Sequence, residues 1–399
     1  MFGGFVRVGD HAAWDHVFPV RYLLTRQDAD LESEYWGRCA DVEGLFVDPV
    51  PPPRDLLTLR GCTPAGPWHE VLAFPDEATR SLGNLDVDIS DEKGPRFAWT
   101  LVDTVVISHS PHATDPDLVD LVVGTGVIEH SRVWPGAGPG TMPDAPRFAL
   151  AEEDYRGGPV GACRGIDGLV APRTVRPDIP LQLIGCEPGE RLLAALRNTQ
   201  AWAQEWGVLM ALDRFGREMG SHRVRLEVAE VTASVLGGPL VDITLADGGH
   251  DDRPSLGARR IWETWYQGFP TTPNQWASLD TRGRAEWLDL MRPHPGGEPD
   301  RTGGTHHLEG RFITDKPGFY CALGEALIGP GRWLGRGLDD LDDCLGGRHG
   351  VVGPFTLIWH DADVARNALN FTLDHGGKRT YFEEAVQLLE SAGVTVVLR

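Results

Sequence analysis

The stretch WLGRGLDDLDDCL, residues 333–345, decides how the end of this chain folds. At 100° per residue, Leu338, Leu341 and Leu345 fall within about 60° of one another on a helix. Such a stripe predicts a short helix that buries its leucine face. The glycines before the leucines predict an irregular loop that leads into the helix.

The same stretch places four aspartates in five positions, Asp339, Asp340, Asp342 and Asp343. Asp339 and Asp343 lie one turn apart on the predicted outer face, Asp340 also points outward, and Asp342 lies nearer the flank of the leucine stripe. Like charges three and four residues apart cost about 0.2–0.5 kcal/mol per pair. Helix stability therefore does not explain the cluster, although a solvated acidic helix face remains one interpretation.

Trp333 lies in the loop GPGRWLGRG, residues 329–337, beside these acids. An aromatic side chain next to fixed carboxylates suits docking to a basic, concave protein surface. The alternative is a tryptophan folded back onto the core of its own domain. A metal site is disfavoured, because no D-x-D-x-D-G loop is present and carboxylates on one short helix do not easily surround a cation.

The elements around this stretch alternate between strands and helices. GRFITD, FTLIWH and VTVVLR read as strands; PGFYCALGEALI, LDDLDDCL, DADVARNAL and YFEEAVQLLESAG read as helices. Alternation of this kind predicts an α/β domain over 305–399 with a small parallel three-stranded sheet.

At these residues the tail resembles the barstar-like family of ribonuclease inhibitors, over about the last quarter of the chain. The resemblance rests on G-x-x-LD-x-L-x-DCL at 335–345, on L-x-W at 357–359 and on the closing strand VTVVL. It implies an inhibitor that blocks the basic active site of a ribonuclease or related nuclease toxin.

The resemblance also implies roles for single residues. Asp339 and Asp343 stand where the family places two acidic contacts that imitate RNA phosphates, Trp333 stands at an interface tyrosine, and Gly335 keeps the loop glycine. Asp340 and Asp342 complete the predicted partner-binding set, with Asp340 adding to the acidic field.

The sequence departs from the family pattern at several positions. Gly337 replaces a loop asparagine, Asp342 replaces a helix tryptophan, and Arg348 replaces an aromatic residue after the helix. A family glutamate on the last long helix has no clean match here, and Glu390 is only a nearby candidate.

The front of the chain is duplicated. CADVEGLFVDPVPPPRDLLTLRGCTPAG at 39–66 matches 163–190 at a constant offset of 124, and the matched positions include two cysteines and two glycines. Alternating apolar residues predict strands such as LLTLRGC and LQLIGC, each closed by a Gly-Cys turn, and GERLLAALRNTQAWAQEWG predicts a helix. These patterns predict two α+β modules, at 1–135 and 136–250.

Residues 251–304 are predicted to connect the modules to the tail domain. This segment has four tryptophans and proline-rich ends. One helix, TRGRAEWLDLM, is predicted within it, with Asp280 as the N-cap.

The composition limits the partners. The net charge of −21 would repel RNA or DNA, and no local basic patch overrides it, so we expect no direct nucleic-acid binding. No run of about 18 apolar residues and no signal peptide is recognisable, which predicts a cytoplasmic protein without membrane contact. In that compartment the six cysteines are expected to be reduced.

Catalysis and cofactors are not expected. The sequence has no G-x-S-x-G elbow, P-loop, H-E-x-x-H helix or dinucleotide fingerprint. The repeated cysteines could form a thiol pair or half of a zinc site, but core cysteines are the simpler interpretation. His306, His307 and GHDD at 249–252 could bind metal, although exposed linker residues are the simpler interpretation.

Two other functions remain as alternatives to an inhibitor. A barstar-like fold could merely pack on the duplicated modules, in which case Trp333 and the acidic face would be buried against residues 1–304. An enzyme housed in the modules would need a deep cleft with convergent titratable groups.

Overall fold

The computed structural model describes most of the chain in eleven ranges, 19–27, 33–48, 51–64, 80–129, 142–152, 159–170, 179–197, 206–246, 253–292, 299–370 and 379–399. Contacts group these residues into two compact units. One unit takes its residues from 1–49, 177–368 and 385–399, and the other from 50–176 and 369–384.

The duplicated part consists mainly of strands. The first copy supplies β1 Tyr22–Gln27, β2 Ser33–Glu43, β3 Arg54–Pro64, β4 Arg80–Asp91, β5 Gly94–His112 and β6 Asp115–Glu129. The second copy supplies β7 Arg147–Glu152, β8 Pro159–Cys163, β9 Gly165–Asp167, β10 Leu181–Pro188, α1 Glu190–Arg197, β11 Trp206–Leu212, β12 Glu218–Arg225, β13 Val228–Ala233 and β14 Val241–Leu245. The α+β prediction is therefore confirmed only in part, because α1 is the one helix described among these fourteen strands. Of the rest of its predicted span, 198–205 lies outside the described residues, and the prediction is wrong for Trp206 and Gly207, which begin β11.

Each sheet takes strands from both copies. One sheet has the order β12-β11-β1-β2-β10-β14-β13, and the other has the order β6-β5-β4-β7-β8-β3-β9. The second sheet closes on itself, because β6 pairs with β3 as well as with β5. At the offset of 124, β1 corresponds to β7, and β2 corresponds to β8 and β9 together. The first copy therefore gives its first two strands, and the second copy its first three, to the sheet built on the other copy. The module boundaries at 135 and 250 stay predictions about the sequence repeat, while the sheets follow this exchange.

The predicted Gly-Cys turns are wrong, because β3 and β10 continue through them. Gly61 and Gly185 have φ of +58° and +59°, and the strand register shifts at both positions. A glycine in the left-handed region lets a strand carry a bulge without ending. Each bulge is held by a carboxylate: Asp120 accepts from the N–H of Gly61 at 2.7 Å, and Asp242 accepts from the N–H of Gly185 at 2.8 Å.

The repeated cysteines pair across the copies. Cys39 lies opposite Cys186 on β2 and β10 and forms a disulfide with it. The Sγ atoms of Cys62 and Cys163 lie 2.9 Å apart, and both side chains are buried. The expectation of six reduced thiols is therefore wrong for Cys39 and Cys186, because the strand exchange places them directly opposite each other.

The rest of the described chain is helical around one small sheet. Its elements are α2 Ala258–Tyr266, α3 Thr281–Met291, β15 Thr305–Glu309, α4 Lys316–Leu327, α5 Leu338–Leu345, β16 Phe355–His360, α6 Ala362–Ala368, α7 Tyr381–Ser391 and β17 Val394–Leu398. The three strands are parallel in the order β15-β16-β17, which confirms the α/β prediction for the C-terminal domain. Leu308, Leu357 and Trp359 are fully buried on one face, where Trp359 stacks on Phe319 of α4.

One predicted strand is displaced along the chain. GRFITD was expected to be extended, but the strand is Thr305–Glu309 and Gly310–Phe312 is a turn of 3-10 helix. A Cβ on Gly310 would lie 2.3 Å from the carbonyl oxygen of His360, so the chain must turn there against the end of β16.

The segment before this domain is more than a connector. The predicted helix with its Asp280 cap is confirmed as α3, and α2 is a second helix that was not predicted. Trp265 and Trp287 lie with ring centroids 5.4 Å apart, and both are buried. α3 packs on α4, where Arg284 forms a buried ion pair with Asp315.

Candidate functional site

Helix α5 presents one buried face and one acidic face. The predicted stripe of Leu338, Leu341 and Leu345 is buried, and Cys344 is buried beside it. Burial raises the pKa of the Cys344 thiol to about 12, with the carboxylates of Asp340 and Asp343 adding to the effect. Those acids therefore impose a negative potential on the underside of their own helix.

Three of the four aspartates face solvent. Asp339, Asp342 and Asp343 are exposed, so Asp342 lies further out than its predicted position near the flank of the stripe. Asp340 is only partly exposed, since it accepts from the backbone N–H of Arg336 at 3.3 Å and lies 3.8 Å from the Arg336 guanidinium. The arrangement leaves Asp339 and Asp343 presented one turn apart.

The loop before α5 brings Trp333 and Gly335 to this helix. Gly335 has φ of +93°, and a Cβ there would lie 3.0 Å from the backbone nitrogen of Leu341 and 3.1 Å from Cβ of Asp340. Only glycine fits this approach without strain. Gly335 therefore lets the loop lie directly against the first turn of the acidic helix.

Trp333 is neither fully exposed for docking nor fully buried in the core of its own domain, the two placements that the sequence left open. Its side chain is half-buried, and its ring lies 6.0 Å from the ring of His349, measured between centroids. Trp333 Nε1 and His349 Nδ1 are both inaccessible to solvent and have no hydrogen-bond partner among the described residues. Buried polar atoms without hydrogen-bond partners destabilise a fold, because their lost contacts with water are not replaced.

The remaining predicted residues lie apart from this face. His307 Nδ1 is 2.9 Å from His360 Nε2, and His306 lies 3.2 Å from the carbonyl oxygen of Ala326. Glu390 is exposed on α7. GHDD at 249–252 lies outside the described residues.

No cluster of metal ligands and no membrane-spanning helix lies in the described ranges. Within them no three histidine, cysteine, aspartate or glutamate side chains come together as metal ligands. None of the helices in the same ranges is long and apolar enough to cross a membrane.

The residues that support the site were not predicted from the sequence. His349 was not considered, and Phe269, Asp289 and Asp300 lie in a segment that was predicted to be a connector. The only signal for them was the unusual aromatic content of that segment.

Comparison with known proteins agrees with the geometry of the tail. No curated protein matches the chain. Residues 304–396 match the family model described as Barstar (barnase inhibitor). This C-terminal segment, with its parallel sheet and exposed acidic helix, is a domain of the Barstar family.

Proposed function

We propose that this protein inhibits a basic ribonuclease in the cytoplasm, by binding to it and without catalysis of its own. The observation that carries the proposal is the exposed pair Asp339 and Asp343, one turn apart on the acidic helix of a Barstar-family domain. The partner is a barnase-like ribonuclease or a related nuclease toxin, not the nucleic acid itself.

Charge complementarity supplies the mechanism. An RNA-cleaving active site holds arginine, lysine and histidine side chains against the phosphates of its substrate. Two carboxylates on a rigid helix can occupy the positions of those phosphates and thereby exclude RNA. The overall charge of −21 would also attract a basic enzyme at long range and speed association.

The exposure of the acidic face within its own unit supports this function over its main alternative. If the domain only packed on the duplicated modules, the acids would be covered by residues of those modules. Among the described residues of the unit that contains α5, Asp339, Asp342 and Asp343 are exposed, which supports a face that is open to a partner.

Inhibition of barnase tests the proposal. The full chain is titrated against barnase with a fluorogenic RNA substrate, and the parent is compared with a variant carrying Asp339→Ala and Asp343→Ala. Loss of one partner from a desolvated charge pair costs about 2–5 kcal/mol, or roughly thirtyfold to several thousandfold in Kd for each carboxylate.

A matched control removes the same charge elsewhere. Glu230→Ala with Asp363→Ala removes two exposed acids that lie on other elements, β13 and α6. We expect this control to inhibit like the parent and the Asp339/Asp343 variant to fail while its circular dichroism is unchanged. If the parent does not inhibit, or if both double variants inhibit equally, the proposed function is wrong.

A further inference from the structure

The loop 329–337, which carries Trp333, rests on residues that precede the Barstar-family segment. Gly331 has φ of +68°, and a Cβ there would lie 3.1 Å from Cζ of Phe269 and 3.2 Å from Cδ of Pro270. The next residue, Arg332, places its guanidinium carbon 4.5 Å from the centroid of the Phe269 ring. That distance is within the range of a cation–π contact. Phe269 therefore supports the beginning of the loop.

The end of the same loop is held by helix α3. Arg336 Nη1 lies 3.8 Å from Asp289 Oδ1, and the same guanidinium lies 3.8 Å from Asp340 on α5. Arg336 thus connects the acidic helix to a helix outside the family segment. Phe269 and Asp289 therefore contact the loop on either side of Trp333.

The loop after the acidic helix, residues 346–350, is also held from outside the family segment. Asp300 accepts from the backbone N–H of Arg348 at 2.7 Å and from that of Gly350 at 2.9 Å. Arg348 has φ of +74°, a conformation that non-glycine residues adopt rarely. The Asp300 carboxylate stabilises this turn, and the turn carries the His349 ring that contacts Trp333.

The support at Phe269 is itself packed against buried residues. The rings of Trp265 and Phe269 lie 5.6 Å apart in an edge-to-face arrangement, and Trp265 is fully buried. The backbone N–H of Asn274 donates to Glu325 of α4 at 2.8 Å, which ties the chain after Phe269 to the C-terminal domain. Phe269 is therefore held in place against the loop that carries Trp333.

We propose that the described residues of this segment, 253–292 and 299–301, position the ribonuclease-binding face by holding the two loops that flank α5, with Phe269 and Asp300 as the main positioning residues. This inference rests on the proposed function. Loops that are already ordered lose less conformational entropy when a partner binds, so the support raises affinity without touching the partner. The partner remains the basic, concave active site of a ribonuclease.

Variants of the full chain test the inference with barnase as the probe. Phe269→Ala removes the ring, and Arg332→Met removes the cation while keeping an apolar stem; each is expected to raise Kd about tenfold, mainly through faster dissociation. Phe269→Tyr keeps the ring and should restore binding. Asp300→Ala should also raise Kd.

The matched control is another aromatic ring that lies against an arginine. The ring centroid of Trp206 on β11 lies 5.0 Å from the guanidinium carbon of Arg223 on β12. Trp206→Ala should leave Kd unchanged. Thermal unfolding of every variant shows whether the chain is intact.

A double-mutant cycle with Trp333→Ala separates positioning from general damage. If Phe269 acts through the loop, Phe269→Ala in the Trp333→Ala background should change Kd by less than about twofold. An equal loss in both backgrounds overturns the inference, and so does parental affinity in both Phe269→Ala and Arg332→Met while the Asp339/Asp343 variant fails. If the parent itself does not inhibit, the proposed function fails, and this inference fails with it.

Discussion

Replacing Asp315 by alanine should destabilise the C-terminal domain strongly, because this carboxylate serves two structures at once. It is the N-cap of α4, where it accepts from the N–H of Gly318 at 2.8 Å, and it is the ion-pair partner of Arg284. Loss of an N-cap costs about 1 kcal/mol. Removing one partner of a buried ion pair costs about 3–5 kcal/mol, because the other charge stays buried. The side chains of Arg284 and Asp315 are only 11% and 13% exposed, so the expected loss is about 4–6 kcal/mol.

Asp280 provides a control that loses the cap alone. It caps α3 with the same geometry, accepting from the N–H of Gly283 at 2.8 Å, but it is exposed and has no buried arginine partner in the described structure. Asp280→Ala should therefore cost only about 1 kcal/mol. A third variant, Arg284→Met with Asp315→Ala, removes both charges and should recover most of the ion-pair loss.

Hydrogen exchange of the α4 amides, read by mass spectrometry, measures the free energy of local opening in each variant. Urea unfolding followed by circular dichroism gives the loss for the whole transition. Equal losses for Asp315→Ala and Asp280→Ala would refute the reasoning, because the ion pair would then contribute nothing. Failure of the double variant to recover stability would show that the loss does not come from an uncompensated arginine.

Three smaller effects are expected in the duplicated part. Gly61→Ala should lower stability by about 1 kcal/mol or more in urea unfolding, because its φ of +58° is unfavourable for alanine. The N–H of Gly61 holds the pKa of Asp120 below its usual range, so the stability that Asp120 adds is present above about pH 4 and is lost as the pH falls through the lowered pKa. Acid titration should show a smaller loss of stability in Asp120→Asn than in the parent. The hydrogen bond to Cys62, together with burial, raises the pKa of the Cys163 thiol, so iodoacetamide at pH 7 should label this thiol only after unfolding, as mass spectrometry of the alkylated peptides would show.

Local patterns predicted the elements whose signals are local. The leucine stripe of α5 and the Asp280 cap of α3 are properties of a few neighbouring residues, and both were predicted correctly. The strand before α4 was misplaced, because the turn at Gly310 is imposed by the carbonyl oxygen of His360, fifty residues away. Sequence periodicity contains no information about such a contact.

The acidic residues of the candidate site were predictable from the sequence, but the residues that hold its loops in place were not. The positions of Asp339 and Asp343 follow from helix geometry, whereas the partial burial of Trp333 depends on His349 in a second loop. Phe269 and Asp300 reach the site only through the tertiary fold. A segment rich in tryptophan and proline has no periodicity that would indicate a supporting role.

The exchange of β1 and β2 for β7, β8 and β9 has a consequence for fragments of the chain. A polypeptide with one copy of the repeat would retain the strands of an incomplete sheet and would leave its own first strands without their partners. Two such polypeptides could form all of the strand pairs by exchanging those strands with each other, as a domain-swapped homodimer does. Separately expressed halves of the duplicated region should therefore be insoluble alone and recover when they are mixed. The covalent link between the copies makes the exchange intramolecular, so assembly no longer depends on protein concentration.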